Sequence, residues 1–417
     1  MELTGRPDGP GLGAPPALVD LVELAAGVVD RRSGGRAAVD GLALLGERAA
    51  LGNLTRRGTT SCGGSTRLVR TADSWLAVSL ARPDDVAALG AWLCIDVPAD
   101  DPWPAVVRMA AESDAATLDE RAALLGLPIA ALGSVGPPAT AATAATAATA
   151  AIAATAATAP AGPAFGLPID AACLREGAGS PHSIEGASVV DMSSLWAGPL
   201  CGQLLAAAGA KVVKVESSAR PDGARHGPPA FFDLMNGPKL SVALDLATPA
   251  GRRDLQRLID AADVVIESAR PRALEQMGIV AANLLRRPAG PGAGSQVWAS
   301  ITSHGRGPGR GERVGFGDVA AVAGGLVARD DEGPCFLADA VTDPVAGLVA
   351  AAAVLEALAV GGRWLLDVAM APLAAAVAGP PFGVDGLPAQ PPRARQVVRA
   401  APPLGSDTDT VLRGLPA

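Results

Sequence analysis

The stretch VVDMSSLWAGPLCGQLLAAAGAKVVKVE, residues 189–216, decides the fold class of this chain. Residues 187–190 form an apolar run typical of a buried strand, and residues 211–215 form a second one. Between them, residues 199–208 have the composition of a helix with proline in its first turn. This order of a strand, a helix and a second strand predicts one βαβ unit of a parallel sheet.

The same alternation continues along the chain. Thr248 and Pro249 have the residue types of a helix cap and a first-turn proline, and they open a helix predicted to end near residue 262. Further strands are predicted at residues 263–266, 296–301 and 364–368, and a long helix at residues 347–359. The pattern predicts an α/β fold with a doubly wound parallel sheet, which binds ligands at the carboxyl ends of its strands.

The region before this pattern is organised differently. Residues 1–136 contain predicted helices at 42–50, 86–93 and 115–125 and an alternating strand at 75–80, and they predict a smaller, N-terminal α+β domain. Residues 137–164 are an Ala-Ala-Thr tract bounded by prolines. We interpret this tract as a linker, because a period of three gives a helix no apolar stripe. The predicted catalytic domain then spans residues 165–378, followed by a Pro-rich stretch and a C-terminal helix at 379–417.

The composition excludes several classes of protein. The 417 residues carry a net charge of −8 without a Lys/Arg run, so we expect no nucleic-acid partner. The five cysteines are far apart and the chain has only three histidines, which argues against a disulfide framework and against a metal site. No signal peptide is apparent, and residues 345–360 are short for a membrane span and contain Glu356. We therefore expect a cytoplasmic protein with no membrane partner.

Asp343 is the most informative carboxylate. Pro344 and an apolar helical run follow it, so its ordinary interpretation is a helix N-cap. The same position favours an ionised carboxylate, which a nucleophile requires. The residues leave both interpretations open. Asp339, four residues earlier, allows two interpretations, a second acid or a loop charge, and we favour the loop charge. The chain contains neither GxGxxG after its first predicted sheet strand nor GxSxG, so a dinucleotide site and a serine hydrolase are not expected.

Several separated motifs resemble the class III CoA-transferases, the CaiB/BaiF-type family. The resemblance covers residues 187–370 and includes the opening stretch. The other matching motifs are NGPKLSVALDLATPAGRRDL (236–255), ADVVIESARPRALEQMG (262–278), GDVAAVAGG (317–325) and ADAVTDPVAGLVAAAAVLEAL (338–358). The motifs occur in the order that the family has.

The resemblance implies a role for specific residues. Asp343, four residues before Gly347, takes the place of the nucleophile that attacks an acyl-CoA thioester to give a mixed anhydride and then an aspartyl-CoA thioester, from which a free carboxylic acid collects the CoA. It also implies acyl-CoA and a free acid as small-molecule substrates, no tightly bound cofactor, and a homodimer. The residues implied for binding coenzyme A are Ala197, Leu244, Asp245, Leu246 and Arg270, with the Arg270 guanidinium facing a phosphate.

The chain also departs from the family at acyl-site positions. Trp196 and Ala321 stand where the family often has Gln, and Ser268-Ala269 stand where it often has Asn-Phe. Gly317 stands where the related racemase branch has a histidine, so a two-base proton exchange lacks one base. This favours a transferase. An α-methylacyl-CoA racemase or epimerase is the first alternative, and a non-catalytic CoA-binding protein is the second.

The order of the segments is unusual for the family. Residues 56–132 resemble its small domain but precede the Ala/Thr tract, and residues 401–415 resemble its C-terminal helix. We therefore hypothesise a rearranged or fused relative, in which an incomplete first copy supplies the small domain.

Overall fold

The computed structural model describes residues 2–138, 165–287, 294–380 and 390–415, so the predicted linker lies almost wholly outside the described residues. The helices in these ranges are α1 Pro16–Ser33, α2 Gly41–Leu44, α3 Glu47–Gly52, α4 Pro83–Ala87, α5 Leu89–Leu93, α6 Trp103–Ala111, α7 Ala115–Leu125, α8 Ala197–Ala207, α9 Pro229–Asn236, α10 Pro249–Asp260, α11 Pro271–Glu275, α12 Ala281–Arg286, α13 Gly317–Ala323, α14 Thr342–Val360, α15 Met370–Val377 and α16 Thr408–Arg413, with a 3-10 turn at Gly223–His226. The strands are β1 Thr66–Arg70, β2 Trp75–Ser79, β3 Ile129–Ala131, β4 Asp170–Arg175, β5 Ser188–Asp191, β6 Lys211–Ser217, β7 Leu240–Leu244, β8 Val264–Glu267, β9 Gln296–Thr302, β10 Ala328–Asp330, β11 Gly333–Cys335 and β12 Arg363–Ala369.

The largest sheet has seven strands in the order β4-β12-β9-β8-β5-β6-β7. All neighbouring pairs are parallel except the edge pair of β4 and β12. The chain builds outward from β5 through β6 to β7, and then returns to the other side of β5 for β8, β9 and β12. This confirms the predicted doubly wound α/β fold, with its reversal of strand order between β5 and β8.

The longest helix lies in the centre of the protein. Almost every residue of α14 is buried, which explains its Ala-rich, uniformly apolar composition. It packs against α8 on one side and against α1 on another. Arg32 of α1 and Glu356 of α14 add an ion pair of 2.7 Å. Helix α1 thus shares the core of the large sheet, although it lies in the region assigned by sequence to the smaller domain.

A smaller antiparallel sheet of β1, β2 and β3 has a core of its own with helices α5, α6 and α7. Trp92 is fully buried there, and its indole N–H donates to the Leu118 carbonyl at 2.9 Å. The chain after β3 runs along α13, where the N–H of Gly133 donates to the Val322 carbonyl at 2.9 Å. This small α+β unit therefore lies directly against the helix that begins beside Asp343.

The C-terminal segment returns to the far edge of the large sheet. The Asp407 N–H donates to the Ser241 carbonyl at 2.9 Å, and the Ser241 N–H donates to the Asp407 carboxylate at 2.8 Å. Thr408 accepts a third hydrogen bond, of 3.0 Å, from the backbone of Ala243. These bonds satisfy backbone groups of β7, the edge strand, which would otherwise be unpaired.

Candidate active site

A cavity of about 220 Å³ opens at the carboxyl ends of the central strands. Its walls come from the turns after β5 and β8, the loop between β9 and α13, and the starts of α14 and α15. It therefore lies where the strand order reverses, the expected ligand position in a doubly wound sheet. The lining residues are Arg82, Ser194, Leu195, Ala197, Ser268, Ala269, Arg270, Pro271, Ile301, Thr302, Ser303, Arg310, Gly311, Arg313, Val314, Gly315, Phe316, Asp343 and Met370.

Asp343 is the one acidic residue among these lining residues, and the lining contains no histidine or lysine. It lies in the first turn of α14, after the helix begins at Thr342. Its side chain does not cap that helix. Instead, Oδ2 of Asp343 accepts a hydrogen bond of 3.2 Å from the backbone N–H of Gly317, the first residue of α13. The N-cap interpretation of Asp343 is therefore wrong, because its carboxylate is turned away from its own helix and toward the cavity.

Burial raises the pKa of Asp343 to about 7, and the charge of Asp339 adds to this rise. The Arg48 guanidinium and the Gly317 N–H oppose it, because both favour the ionised form. The carboxylate is half-buried, so it is partly desolvated and still reachable from the cavity. A carboxylate with these properties can act as a nucleophile toward a ligand in the cavity.

Two glycines allow this arrangement. A Cβ atom on Gly317 would lie 2.3 Å from Oδ2 of Asp343 and 2.5 Å from the Ala340 carbonyl oxygen. A Cβ atom on Gly347 would lie 2.5 Å from the Ala197 carbonyl oxygen. Position 317 therefore has no room for any side chain in this backbone arrangement, and Gly347 is what allows α14 to approach α8 closely.

Asp339 lies in the loop before α14, but it is a buried and paired carboxylate instead of a solvated loop charge. Its carboxylate is fully buried and forms a bidentate ion pair with Arg48, at 2.8 Å from Nε and 2.5 Å from Nη2. Sequence reasoning missed Arg48, which lies in α3 and is separated from Asp339 by 291 positions. Asp318, in α13, completes a group of three neighbouring carboxylates with Asp339 and Asp343, and burial together with the Asp339 charge raises its pKa to about 7.

The cavity contains four arginines that differ in their partners. Arg82 pairs with Asp85 at 2.5 Å, and Arg313 pairs with Asp119 of the small α+β unit. Arg270 and Arg310 are exposed, and within the described part of the chain neither has an ion-pair partner. Because these two arginines line the cavity and are exposed, they are available to an anionic ligand.

The structure brings three of the predicted site residues together. Ala197, Arg270 and Asp343 line the same cavity. The other predicted segment, Leu244, Asp245 and Leu246, begins at the last residue of β7, the edge strand that lies two strands away from β5. It lies at the same end of the sheet as the cavity but does not line it.

The turn after β5 is held from below by buried charges. Lys239 donates to the Asp191 carboxylate at 2.7 Å and to the Pro199 carbonyl at 2.8 Å. Lys214 donates to the Ser193 carbonyl at 2.9 Å. This network supports Leu195, whose φ of +70° is unfavourable for a residue other than glycine. The lysines lie outside the cavity, so their role is to fix its floor.

The departures from the family are visible at the same place. Trp196 is buried, with its ring edge-to-face against Phe231 at 5.3 Å, and the Arg48 guanidinium lies over it at 5.4 Å. Ser268 accepts a hydrogen bond of 3.0 Å from the backbone of Ser194. Ala321 is buried within α13. A bulky indole thus occupies position 196, where the resemblance to the family implies an amide.

Within the described ranges, no group of three or more His, Cys, Asp or Glu side chains has an arrangement that could hold a metal ion. The five cysteines are free thiols. By its length and composition, one helix of the described ranges, Thr342–Val360, could cross a membrane, but 78% of its apolar stretch is buried inside the protein. Its hydrophobicity is therefore explained by its central position in the core.

Comparison with known proteins identifies the family. The model of CoA-transferase family III matches residues 184–406, which is more than half of the chain. The protein belongs to CoA-transferase family III. This confirms the resemblance seen in the sequence motifs, and the matched residues include Asp343, Gly317 and all predicted CoA-binding positions.

Individual relatives match over a shorter range. The chain is 31% identical to a succinyl-CoA–D-citramalate CoA-transferase of Chloroflexus aurantiacus, over 43% of this chain and 46% of that protein. It is 34% identical to a probable fatty acyl-CoA transferase of Mycobacterium tuberculosis, over 42% of this chain and 46% of that protein. A solved CaiB/BaiF family protein from Brucella suis is 29% identical, with a TM-score of 0.42, over 48% of this chain and 56% of that one. The chain thus spans about half the length of the relatives it matches.

Proposed function

We propose that this protein is a CoA-transferase that moves CoA from an acyl-CoA to a free carboxylic acid, with Asp343 as the covalent nucleophile. The observation that carries the proposal is the position of Asp343. It is the single acid among the described residues lining a cavity at the switch point of the sheet, and its Oδ2 is oriented by the Gly317 N–H. Family membership supports the transferase class, and the relatives named above include CoA-transferases.

The reaction follows from one ionised carboxylate. An oxygen of Asp343 attacks the thioester carbonyl carbon, the C–S bond breaks, and the CoA thiolate leaves a mixed anhydride behind. The thiolate then attacks the aspartyl carbonyl, which releases the donor acid and leaves an aspartyl-CoA thioester. The acceptor carboxylate attacks the aspartyl carbonyl of this thioester, the C–S bond breaks, and the CoA thiolate leaves a second mixed anhydride. The thiolate then attacks the acceptor acyl carbon of that anhydride, the C–O bond breaks, and the Asp343 carboxylate is regenerated. No step requires a redox partner or a tightly bound cofactor. The proposed substrates are an acyl-CoA and a free carboxylic acid.

Arg270 is the proposed cation for the phosphates of CoA, because it lines the cavity and is exposed. Ala197 is proposed to face the bound CoA at the start of α8. The segment Leu244, Asp245 and Leu246 stays a proposal for the more distant part of the nucleotide, since it lies at the same end of the sheet outside the cavity.

A racemase needs a second base on the opposite face of the substrate carbon. Position 317 has no room for one, and the described lining residues hold no histidine, lysine or second carboxylate. These observations favour the transferase over the racemase or epimerase. A non-catalytic CoA-binding protein is the other alternative, and the trapping experiment below distinguishes it from a transferase.

The test is covalent trapping at Asp343. The full-length protein is incubated with acyl-CoA and quenched with hydroxylamine or borohydride, and peptides are analysed by mass spectrometry. We expect modification at Asp343 in the wild type and none in Asp343→Asn, with CoA affinity similar in both. CoA binding without any adduct would instead indicate the binding protein, and exchange of the α-hydrogen with deuterated solvent without an adduct would indicate the racemase.

We also propose the domain division at residues 136, 164 and 378, a homodimer, and a cytoplasmic location. The five free thiols suit a reducing compartment. The hypothesis of a fused relative is supported by a similarity within the chain. The segments GGRAAVD (34–40) and GGRWLLD (361–367) both begin with Gly-Gly-Arg and have Asp at the seventh position. They follow α1 and α14, two helices that pack against each other. Light scattering of the intact protein tests the dimer.

Proteolysis within residues 139–164 tests the domain division. If the two fragments separate after cleavage, the N-terminal region does not serve as the small domain of the catalytic part.

A further inference from the structure

The loop that leads to Asp343, residues 336–341, is held in an unfavourable backbone conformation. We call it the approach loop. Ala338 and Ala340 have φ values of +52° and +45°, a region that residues with a Cβ atom rarely adopt. Both are buried, and the Ala340 carbonyl accepts the N–H of Asp343 at 2.9 Å. Because such a conformation persists only where surrounding groups enforce it, the contacts of this loop determine where Asp343 lies.

Most of those contacts come from the N-terminal 62 residues. Arg48 binds the Asp339 carboxylate through two hydrogen bonds, of 2.8 and 2.5 Å. The hydroxyl of Thr4 accepts the N–H of Ala338 at 3.0 Å, and the thiol of Cys62 donates to the Ala338 carbonyl at 3.4 Å. Arg48 is in turn stacked on the face of the Trp196 ring, with its guanidinium carbon 5.4 Å from the ring centroid.

From the catalytic side, the loop has a further anchor. The N–H of Ala340 donates to the Asp318 carboxylate at 3.0 Å, and the hydroxyl of Thr342 donates to the Gly317 carbonyl at 2.7 Å. The approach loop is thus clamped between Arg48 on one side and the start of α13 on the other. Arg48 is the single cation in these contacts of the described approach loop.

We propose that Arg48 is a positioning residue for the reaction at Asp343, because its bidentate ion pair with Asp339 fixes the approach loop from which Asp343 follows. This inference rests on the proposed function. It also makes the N-terminal region part of the active site, although that region contributes no group to the attack itself. A guanidinium suits this position because its planar fork matches a carboxylate and its face stacks on an indole.

The charges around Asp343 determine in which direction its pKa should shift when a neighbour is replaced. From α3, Arg48 lowers the pKa of Asp343, and from the approach loop, Asp339 raises it. Asp318 of α13 and the Cys62 thiol are the other titratable groups beside Asp339. The cavity that Asp343 lines is also lined by four arginines, Arg82, Arg270, Arg310 and Arg313. Removal of Arg48 and removal of the Asp339 charge should therefore shift the Asp343 titration in opposite directions.

The experiment compares full-length Arg48→Gln, Arg48→Lys and Asp339→Asn with the wild type. Arg32→Gln is the matched control, because it likewise removes an arginine–carboxylate pair made by the N-terminal region, but its partner Glu356 lies near the far end of α14. The titration of Asp343 is followed by carboxyl NMR in the free protein, with the resonance assigned by its loss in Asp343→Asn. This readout does not depend on turnover. Trapping of Asp343 with acyl-CoA is measured in parallel across pH.

We expect Arg48→Gln to raise the Asp343 midpoint by about one pH unit and to lower the trapping rate below that midpoint about tenfold. Arg48→Lys should recover the midpoint and only part of the rate, because lysine restores the charge without the bidentate geometry. Asp339→Asn should lower the midpoint, and Arg32→Gln should leave midpoint and rate unchanged.

Equal loss of rate at every pH, with an unshifted midpoint in both Arg48→Gln and Asp339→Asn, would overturn the proposal and leave Arg48 a purely structural residue. If Arg48→Gln does not fold, two variants still decide the outcome. Asp339→Asn decides it through the sign of the midpoint shift, and Arg48→Lys decides it through a lowered trapping rate at an unchanged midpoint. If the midpoints shift as expected but wild-type Asp343 is never trapped, the proposed function fails while the electrostatic link between Arg48 and Asp343 stands.

Discussion

The backbone N–H of Gly317 donates to Oδ2 of Asp343 at 3.2 Å, so the start of one helix orients the carboxylate at the start of another. This contact requires the absence of a side chain at position 317, where a Cβ atom would lie 2.3 Å from the same oxygen.

Gly317→Ala should lower the rate of Asp343 trapping at least tenfold, because the methyl group displaces the carboxylate or breaks its hydrogen bond. Gly379→Ala is the matched control, since a Cβ atom there meets nothing within 4 Å. Trapping rates and melting temperatures of both variants check the prediction. An unchanged rate in Gly317→Ala would show that the orientation of Oδ2 is not needed.

The acylation of Asp343 should rise with pH and level off above about pH 7, because burial raises the pKa of Asp343 to about 7 and only the ionised form attacks. Below the midpoint the rate should fall about tenfold per pH unit. Single-turnover trapping at saturating acyl-CoA measures this profile. A rate that is flat from about pH 5 to about pH 8 would mean that the nucleophile titrates at an ordinary carboxyl pKa.

Asp343→Asn should stabilise the protein in a pH-dependent way. A carboxyl whose pKa is raised by folding binds its proton more tightly in the folded state, so its contribution to stability falls as pH rises toward about 7. The amide cannot ionise. We therefore expect Asp343→Asn to melt a few degrees above the wild type near pH 8 and close to it near pH 4. The same difference at both pH values would point to packing rather than ionisation.

Arg270→Gln should raise the KM for acyl-CoA about three- to tenfold with little change in kcat, because the guanidinium is proposed to bind phosphate outside the reacting centre. Arg272→Gln is a close control, since Arg272 pairs with Glu312 at 3.5 Å and does not line the cavity. Kinetics at low and high salt measure the effect. If both variants behave alike, Arg270 has no specific role toward CoA.

Lys239→Met should cost about 3–5 kcal/mol of unfolding free energy, because it leaves the fully buried Asp191 carboxylate without its closest cation, at 2.7 Å. Lys239→Met combined with Asp191→Asn should recover part of this loss, since no unpaired charge then remains. Urea unfolding of the single and double variants measures both. A loss that is equal in the two would contradict an electrostatic origin.

How far sequence reasoning reaches differs between elements. The strands and helices around the opening stretch are predicted within one or two residues, because each is a contiguous apolar run with its own cap or turn. Helix α1 is missed, although Leu18, Leu21, Val22 and Ala25 follow the helical period and are all buried. That pattern was the available signal. It gives no indication, however, that α1 packs on α14 more than 300 positions later.

Local periodicity predicts the doubly wound sheet, and short contiguous motifs are enough to indicate the family and Asp343 as the candidate nucleophile. The contact of Asp343 with Gly317 and the burial of Asp339 against Arg48, 291 positions away, are visible only in the folded protein. Desolvation, ion pairing and steric exclusion depend on which distant segments pack together, and no local pattern contains that information.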